Sequence, residues 1–338
     1  MPYRYHRPRT VIITGASAGV GRAIAQRFAR AGDRIGLIAR DDSALQDVQR
    51  GLQAVGAEAA WEAADVANAK AIFAAAERLE QRLGKVDIWI NDAMETVFST
   101  VADMDPDEFR RVTEVCYLGF VHGTMAALNS MRPRRRGRII QIGSALAYRG
   151  IPLQAAYCGA KHAIRGFNDA LRSELLHEHS DIVISMIHLP AVNTPQFDWA
   201  RVHIGHTPRP MGRPIQPEVV ADAVFRVAQG RAREYWLGWP TVITILANTI
   251  APVLLDRYLA RKAIAGQQTA ELVAPGRKDN LDHPITPLHR IHGSFDATSL
   301  SHAPLITGET ARAATVAIGA AVFFMIGAAI GAGRRNRA

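Results

Sequence analysis

Apolar and polar positions along the first two thirds of the chain switch repeatedly between two periods. Val11-Ile12-Ile13 is a short β-branched run that reads as a buried strand, and a helical pattern follows it through Phe28 to Gly32. The same switch recurs. Further strands are predicted over Arg34 to Ala39, weakly over Ala57 to Ala63, then over Val86 to Ile90, Arg138 to Ile142, Ile182 to Leu189 and Glu234 to Leu237. Helical patterns separate them, over Asp41 to Val55, Ala67 to Leu83, Pro106 to Met131, from Gln154 onward, and Pro217 to Gln229. Repeated β/α alternation implies a parallel sheet covered on both faces, an α/β doubly wound fold in one domain over residues 1–240.

The pattern then changes. Trp236 to Leu255 is an uncharged run interrupted by Pro240, Asn248 and Pro252. With its continuation it makes residues 241–264 an apolar helical segment. That segment either closes a pocket or dips into a membrane interface with Trp236 and Trp239 at headgroup depth. Residues 265–312 are rich in Gln, Asp, His, Pro, Gly and Ser with little periodicity, the composition of a flexible linker. Residues 313–333 carry no charge, enough length for a transmembrane helix, and residues 334–338 form a basic tail. Gly327 and Gly331 form a GxxxG pair that permits close helix packing. No apolar segment precedes the first strand, so no secretory signal is expected. The expectation is a membrane-associated protein with its N-terminal domain in the cytoplasm.

Composition adds limits. A chain of 338 residues with 48% hydrophobic positions can bury a substantial core. A formal net charge of +9 suits nucleic acid, anionic lipid, a phosphorylated cofactor or simply an Arg-rich surface. The densest basic cluster, Arg132-Pro133-Arg134-Arg135-Arg136-Gly137-Arg138, precedes a strand, whereas ligands in open α/β sheets bind at the carboxyl ends of strands. It reads as a solvated connection, and no nucleic-acid partner is expected. Two cysteines, Cys116 and Cys158, cannot build a disulfide framework, and the scattered histidines show no metal-ligand spacing.

Candidate chemistry sits at two places. Thr14-Gly15-Ala16-Ser17-Ala18-Gly19-Val20-Gly21 lies between the first strand and its helix. Glycines at such a turn let the backbone approach a pyrophosphate, whose charge the helix N-terminus attracts. Where an acidic residue would hold the ribose 2′-hydroxyl of NAD, the second strand ends in Ala39-Arg40, and a guanidinium suits a 2′-phosphate, favouring NADP(H) over NAD(H). Asp41 or Asp42 offers the opposing NAD contact. The second place is Ser144, then Tyr157 and Lys161 spaced i, i+4 on one helical face. A cation beside a phenol favours the phenolate and lowers its pKa, so the set reads as proton-transfer machinery for a carbonyl/alcohol pair.

Together these motifs resemble the short-chain dehydrogenase/reductase family over about residues 9 to 240, through TGASAGVG, Asp65-Val66, Asn91-Asp92-Ala93, Ser144 and Tyr157-Cys158-Gly159-Ala160-Lys161. The resemblance implies a Rossmann-type sheet, hydride transfer with a nicotinamide cofactor, a small-molecule substrate and a homo-oligomer. It implies Tyr157 as general acid/base, Ser144 as hydrogen-bond donor to the substrate oxygen, and Lys161 on the nicotinamide ribose. Cofactor contacts are implied for Gly15, Ser17, Gly19, Val20, Gly21, Arg40, Asp65, Val66, Asn91, Ala93, Val192 and Thr194.

Three features depart from the family pattern: Asp92 and Met94 in the Asn-Asn-Ala-Gly motif, Cys116 where the proton relay has an Asn, and Leu189-Pro190 for the usual Pro-Gly. The departures at Met94 and Cys116 keep open a second expectation, a dinucleotide-binding scaffold or sensor with little turnover. The retained Ser/Tyr/Lys set argues for an enzyme. Leu146, Ile151 and Leu153 flank that set and suggest an apolar substrate.

Overall fold

The structure, a computed structural model, describes residues 7–317. Its centre is an eight-stranded sheet. In chain order the strands are β1 (Thr10–Thr14), β2 (Arg34–Ala39), β3 (Ala59–Ala63), β4 (Val86–Asn91), β5 (Arg136–Ser144), β6 (Asp181–Leu189), β7 (Glu234–Leu237) and β8 (Leu305–Thr307). Their spatial order is β8-β7-β6-β5-β4-β1-β2-β3. All neighbours from β3 to β7 pair parallel, and β8 is antiparallel to β7. The order turns back between β1 and β4, so loops at the carboxyl ends of those two strands open a crevice at that point.

Helices cover both faces, as the near-continuous apolar strands require. On one face lie α1 (Gly19–Ala29) and α2 (Asp42–Ala54), and on the other α3 (Ala69–Leu83). In α1 the buried residues Val20, Ile24 and Phe28 recur every four positions, and in α2 Leu45, Val48 and Leu52 form the inward stripe. Asp41 and Asn68 cap α2 and α3 by accepting from the backbone of Ala44 and Ala71. Phe28 meets Phe225 edge to face at 5.1 Å, fixing α1 against the helix Pro217–Val227.

The expected helix Pro106 to Met131 is interrupted. It consists of α4 (Pro106–Thr113), a π-helical turn at Glu114–Leu118 and α5 (Gly119–Met131). Such π turns inside helices mark positions where a side chain is re-aimed, often at a functional site. Cys116 sits in this one. The next helix, α6 (Ala155–His177), carries Tyr157 and Lys161 in its first two turns.

The C-terminal third corrects two expectations. Trp236 to Leu255 is not one apolar helix: Trp236 is fully buried in β7, after which α7 (Trp239–Ile250) and α8 (Pro252–Gly266) fold back as a pair. Only Trp239 of the two tryptophans reaches the surface, at 58% exposure. Residues 265–312 are not a loose linker either. Gln268–Leu272 pairs with His206–Pro208, β8 extends the main sheet, and the stretch between them crosses the carboxyl ends of the strands. Its apolar anchors are few and far apart (Leu281, Phe295, Leu305), so no period announces them, while its polar groups hydrogen-bond to the domain instead of to water.

The proposed transmembrane stretch 313–333 lies mostly outside the described residues; a helix occupies 308–317. Among the described residues no helix is long and apolar enough to cross a membrane. The Arg-rich connection before β5 is a structural clamp: Arg134 donates to the Val86 carbonyl, Arg135 to those of Glu178 and His179, and Arg132 pairs with Glu178.

Candidate active site

A cavity of about 710 Å³ runs along the carboxyl ends of the strands from Arg40 and Asp65 at one end to Ser144, Tyr157 and Lys161 at the other. The glycine loop forms its floor. Gly15 has φ +73°, and a Cβ there would stand 2.8 Å from the backbone N and Cα of Ala93. A Cβ on Gly21 would lie 2.3 Å from the Gly15 carbonyl oxygen. The two positions therefore need glycine for a tight turn and for close contact between helix and strand. That turn brings Ser17, Ala18, Gly19 and Val20 to the cavity at the start of α1.

At the far end, Tyr157 and Lys161 share a face of α6. The Lys161 ammonium lies 5.4 Å from the Tyr157 ring centroid and donates to the Ile142 carbonyl at 2.8 Å. Ser144 ends β5; its hydroxyl accepts from the Leu146 backbone at 3.1 Å and lies on the same side of the cavity as the Tyr157 phenol. Burial raises the Tyr157 pKa above its ordinary value, with the buried Cys116 and Cys158 thiols adding to the rise and Ser144 opposing it. This corrects the expected lowering by Lys161. In the dry pocket the cost of desolvating a phenolate outweighs the nearby cation. Burial likewise lowers the Lys161 pKa, against the pull of Cys116 and Asp92.

Of the residues singled out in the sequence, Gly15, Ser17, Gly19, Val20, Arg40, Asp65, Val66, Ala93, Ser144, Tyr157, Lys161, Val192 and Thr194 all line this cavity. Three do not. Gly21 is buried beneath the loop. Asn91 is fully buried in a polar core network: its amide donates to Gln141 at 2.8 Å and Thr124 at 3.2 Å, and its oxygen accepts from Trp89 at 2.8 Å. It orders the end of β4 without reaching the groove. Cys116 is fully buried, its sulfur accepting from the Glu95 N–H at 3.2 Å and donating to the Glu95 carbonyl at 3.1 Å. Burial pushes that thiol up to about 11, so it remains protonated at neutral pH. Leu146 and Ile151 line the cavity as expected, whereas Leu153 packs with Phe98 and Phe197 in a separate cluster.

Two buried carboxyls lie in and beside the altered motif. Burial pushes the Asp92 carboxyl up to about 8, opposed by Lys161 and by the Gly21 N–H. Glu95, directly after Met94, is 3% exposed and pairs with Arg40 at 2.6 Å and Arg111 at 3.4 Å. Burial pushes its carboxyl up to about 8 against the pull of those two guanidiniums. Arg111 also bonds Asp65 at 2.7 Å. Nothing in the sequence flagged Glu95 or Arg111, because neither belongs to a motif and the contact joins positions on different elements. α7 and α8 line the cavity with Pro240, Ile243, Ala247, Leu255 and Leu259, on the pocket-closing side of the two alternatives read for residues 241–264, whereas the lining by Asn280, Pro284, Ile285 and His289 had no signal in the sequence.

The cavity suits a dinucleotide: a glycine turn at a helix N-terminus, a guanidinium at one end and a Tyr/Lys pair at the other. Comparisons agree with this geometry. A family model for short chain dehydrogenases matches residues 9–201. An uncharacterized oxidoreductase, YxnA, of Bacillus subtilis is 29% identical over 81% of this chain and 77% of its own. The dehydrogenase/reductase SDR family member 7B of Bos taurus is 31% identical over 77% and 82%.

Among solved structures, an alcohol dehydrogenase from Thermococcus sibiricus complexed with 5-hydroxy-NADP superposes with TM-score 0.60 at 25% identity, covering 68% of this chain and 96% of that one. An actinorhodin polyketide ketoreductase with NADPH gives 0.59 at 27%, covering 65% and 90%. The chain belongs to the short-chain dehydrogenase/reductase family of oxidoreductases.

Proposed function

We propose that this enzyme interconverts a carbonyl and a secondary alcohol on a lipophilic small molecule, using NADP(H), with Tyr157 as general acid/base. The observation that carries this reading is the convergence of Ser144, Tyr157 and Lys161 at the deep end of a cavity whose other end holds Arg40. The dinucleotide supplies or accepts the hydride when bound. Ser17, Ala18, Gly19 and Val20 present the loop backbone to its pyrophosphate, and Arg40 faces the 2′-phosphate once its guanidinium turns from Glu95. Val192 and Thr194 flank the nicotinamide end.

The chain's own groups handle the proton. The substrate oxygen sits between the Ser144 hydroxyl and the Tyr157 phenol, and the phenol donates its proton to that oxygen during reduction. A phenol whose pKa is raised by burial is fully protonated at neutral pH, which favours the reductive direction. Lys161 steadies the phenolate left behind and recovers its influence as the charge develops. Leu146, Ile151, Phe197, Met211, Ile243 and Leu255 give the substrate side an apolar wall, which supports a lipophilic carbonyl.

Attachment to a membrane through residues 313–333 remains part of this proposal, on the strength of their uncharged sequence. The reading is tested by following NADPH oxidation across a panel of lipophilic ketones and aldehydes. Turnover that grows with substrate apolarity supports it, and NADPH binding without turnover on any member favours a sensor instead.

A further inference from the structure

We infer that residues 280–296 form a strap across the coenzyme cleft, and that the dinucleotide enters and leaves only when this strap lifts. The inference rests on the reading of the cleft as a dinucleotide site. The strap begins at Leu281, whose side chain is 1% exposed and joins the core that contains Val66, Val112 and Val115. Its first carbonyls are gripped by the two arginines at the Asp65 end: Asn280 accepts from Arg40 at 2.5 Å, and Leu281 accepts from Arg40 at 3.1 Å and Arg111 at 3.2 Å.

From there it crosses to the opposite lip. Thr286 donates to Asp41 at 2.6 Å, with His289 3.4 Å from the same carboxylate oxygen. The His289 carbonyl accepts from Arg22 at 2.9 Å, and the Arg290 carbonyl accepts from the Gly19 N–H at 2.9 Å. The strap then docks against the Asn193–Thr194 backbone. Gly293 donates to the Asn193 carbonyl at 3.2 Å, and the Asn193 amide holds Asp296 at 2.7 Å. A Cβ on Gly293 would lie only 2.4 Å from the Thr194 carbonyl oxygen, so this seat is shaped for glycine.

Asn280, Pro284, Ile285 and His289 turn inward and line the cavity, so the strap is its outer wall at the Arg40 end. Between Leu281 and Gly293 no residue is buried. The span is held at both ends by packing and in the middle by part-buried hydrogen bonds without apolar packing of its own, each of small net worth. A segment of that kind opens locally at far lower cost than the domain unfolds. Its contacts fall on Gly19, Arg40 and Asp41, the cavity residues at the glycine loop and the end of β2, so opening it uncovers that end of the cleft.

The test is stopped-flow measurement of NADPH fluorescence on binding, and on chase with excess NADP, for the full chain and two variants. Leu281→Ala removes the buried anchor, and Thr286→Ala removes a single part-buried hydrogen bond and no core side chain. The gate predicts that both association and dissociation accelerate, by about tenfold or more for Leu281→Ala and less for Thr286→Ala. An association rate equal to that of the unaltered chain in both variants, even with faster dissociation, overturns the gate and leaves a static wall. Absence of any NADPH or NADH binding to the unaltered chain is a separate result, which defeats the dinucleotide reading itself.

Discussion

Lys161 stands one helical turn beyond Tyr157, its ammonium 5.4 Å from the ring centroid, yet its hydrogen bond goes to the Ile142 carbonyl. The ammonium is thus fixed by the end of β5 before any coenzyme arrives. In the proposed mechanism it steadies a phenolate that forms transiently, while burial raises the pKa of the resting phenol. Lys161→Met leaves that charge unsupported in a dry site. The expected loss in kcat is about 10²-fold or more. A steady-state comparison at saturating coenzyme checks it, and a variant that lost only coenzyme affinity would restrict Lys161 to a binding role.

Arg40 faces a competitor inside its own protein. Glu95 pairs with it at 2.6 Å, so a 2′-phosphate must draw the guanidinium away. Arg40→Ala should weaken NADPH by about 2 kcal/mol, roughly 30-fold in Kd, and leave NADH nearly unchanged. Glu95→Gln should act the other way and tighten NADPH selectively. Because the Glu95 carboxyl titrates at about 8, the advantage of the Gln variant grows as pH rises through that value and the carboxylate appears. Fluorescence titrations with both coenzymes at pH values on either side of 8 measure this; equal pH profiles for the two proteins would contradict it.

Glu234 anchors a mostly buried polar network behind Ser144, outside the cavity lining. Its carboxylate accepts from Tyr148 at 2.5 Å and pairs with Arg312, while His188, 3.8 Å away, donates to or accepts from neither solvent nor a side chain on its far nitrogen and contacts the Ser144 carbonyl at 3.0 Å. Burial works to raise the Glu234 pKa, but the nearby His188 ring and the hydrogen bonds from Tyr148 and Arg312 outweigh it and hold the carboxyl well below its ordinary value. A carboxyl depressed on folding contributes stability that is present above its unfolded value of 4.5 and lost as pH falls through the folded value. Glu234→Gln should cost about 1–2 kcal/mol at pH 7 and narrow toward zero in acid. Denaturant melts at pH 7 and pH 3 test this.

Residues 318–338 can be removed without touching the Arg312–Glu234 pair. If the uncharged stretch anchors the chain, the shortened protein moves from the membrane pellet to the supernatant with its coenzyme binding intact. Persistence in the pellet would point to the exposed apolar side chains of α7 and α8, such as Ile243, Ile250 and Leu254.

The sheet was legible because β-branched strands such as Val11-Ile12-Ile13 sit between helices with a clear inward stripe. The glycine loop and Ser144, Tyr157 and Lys161 were legible because their spacing within or beside one element fixes their geometry. What stayed hidden depends on contacts between distant positions. Glu95 meets Arg40 and Arg111, Leu281 seats in the core more than two hundred residues from Val66, and Thr286 reaches Asp41. No period or motif encodes such meetings. Asn91 misled for the opposite reason: its motif fixes its place, but Trp89 and Gln141 claim its amide for the core.

The central claim concerns one hydroxyl, and Tyr157→Phe isolates it. NADPH affinity is measured by fluorescence and turnover by oxidation of the same coenzyme with the best ketone of the panel. The account predicts affinity within about twofold of the unaltered enzyme and turnover reduced by roughly 10²- to 10⁴-fold. Unchanged turnover would contradict it, since the phenolic proton would then have no part in the reaction.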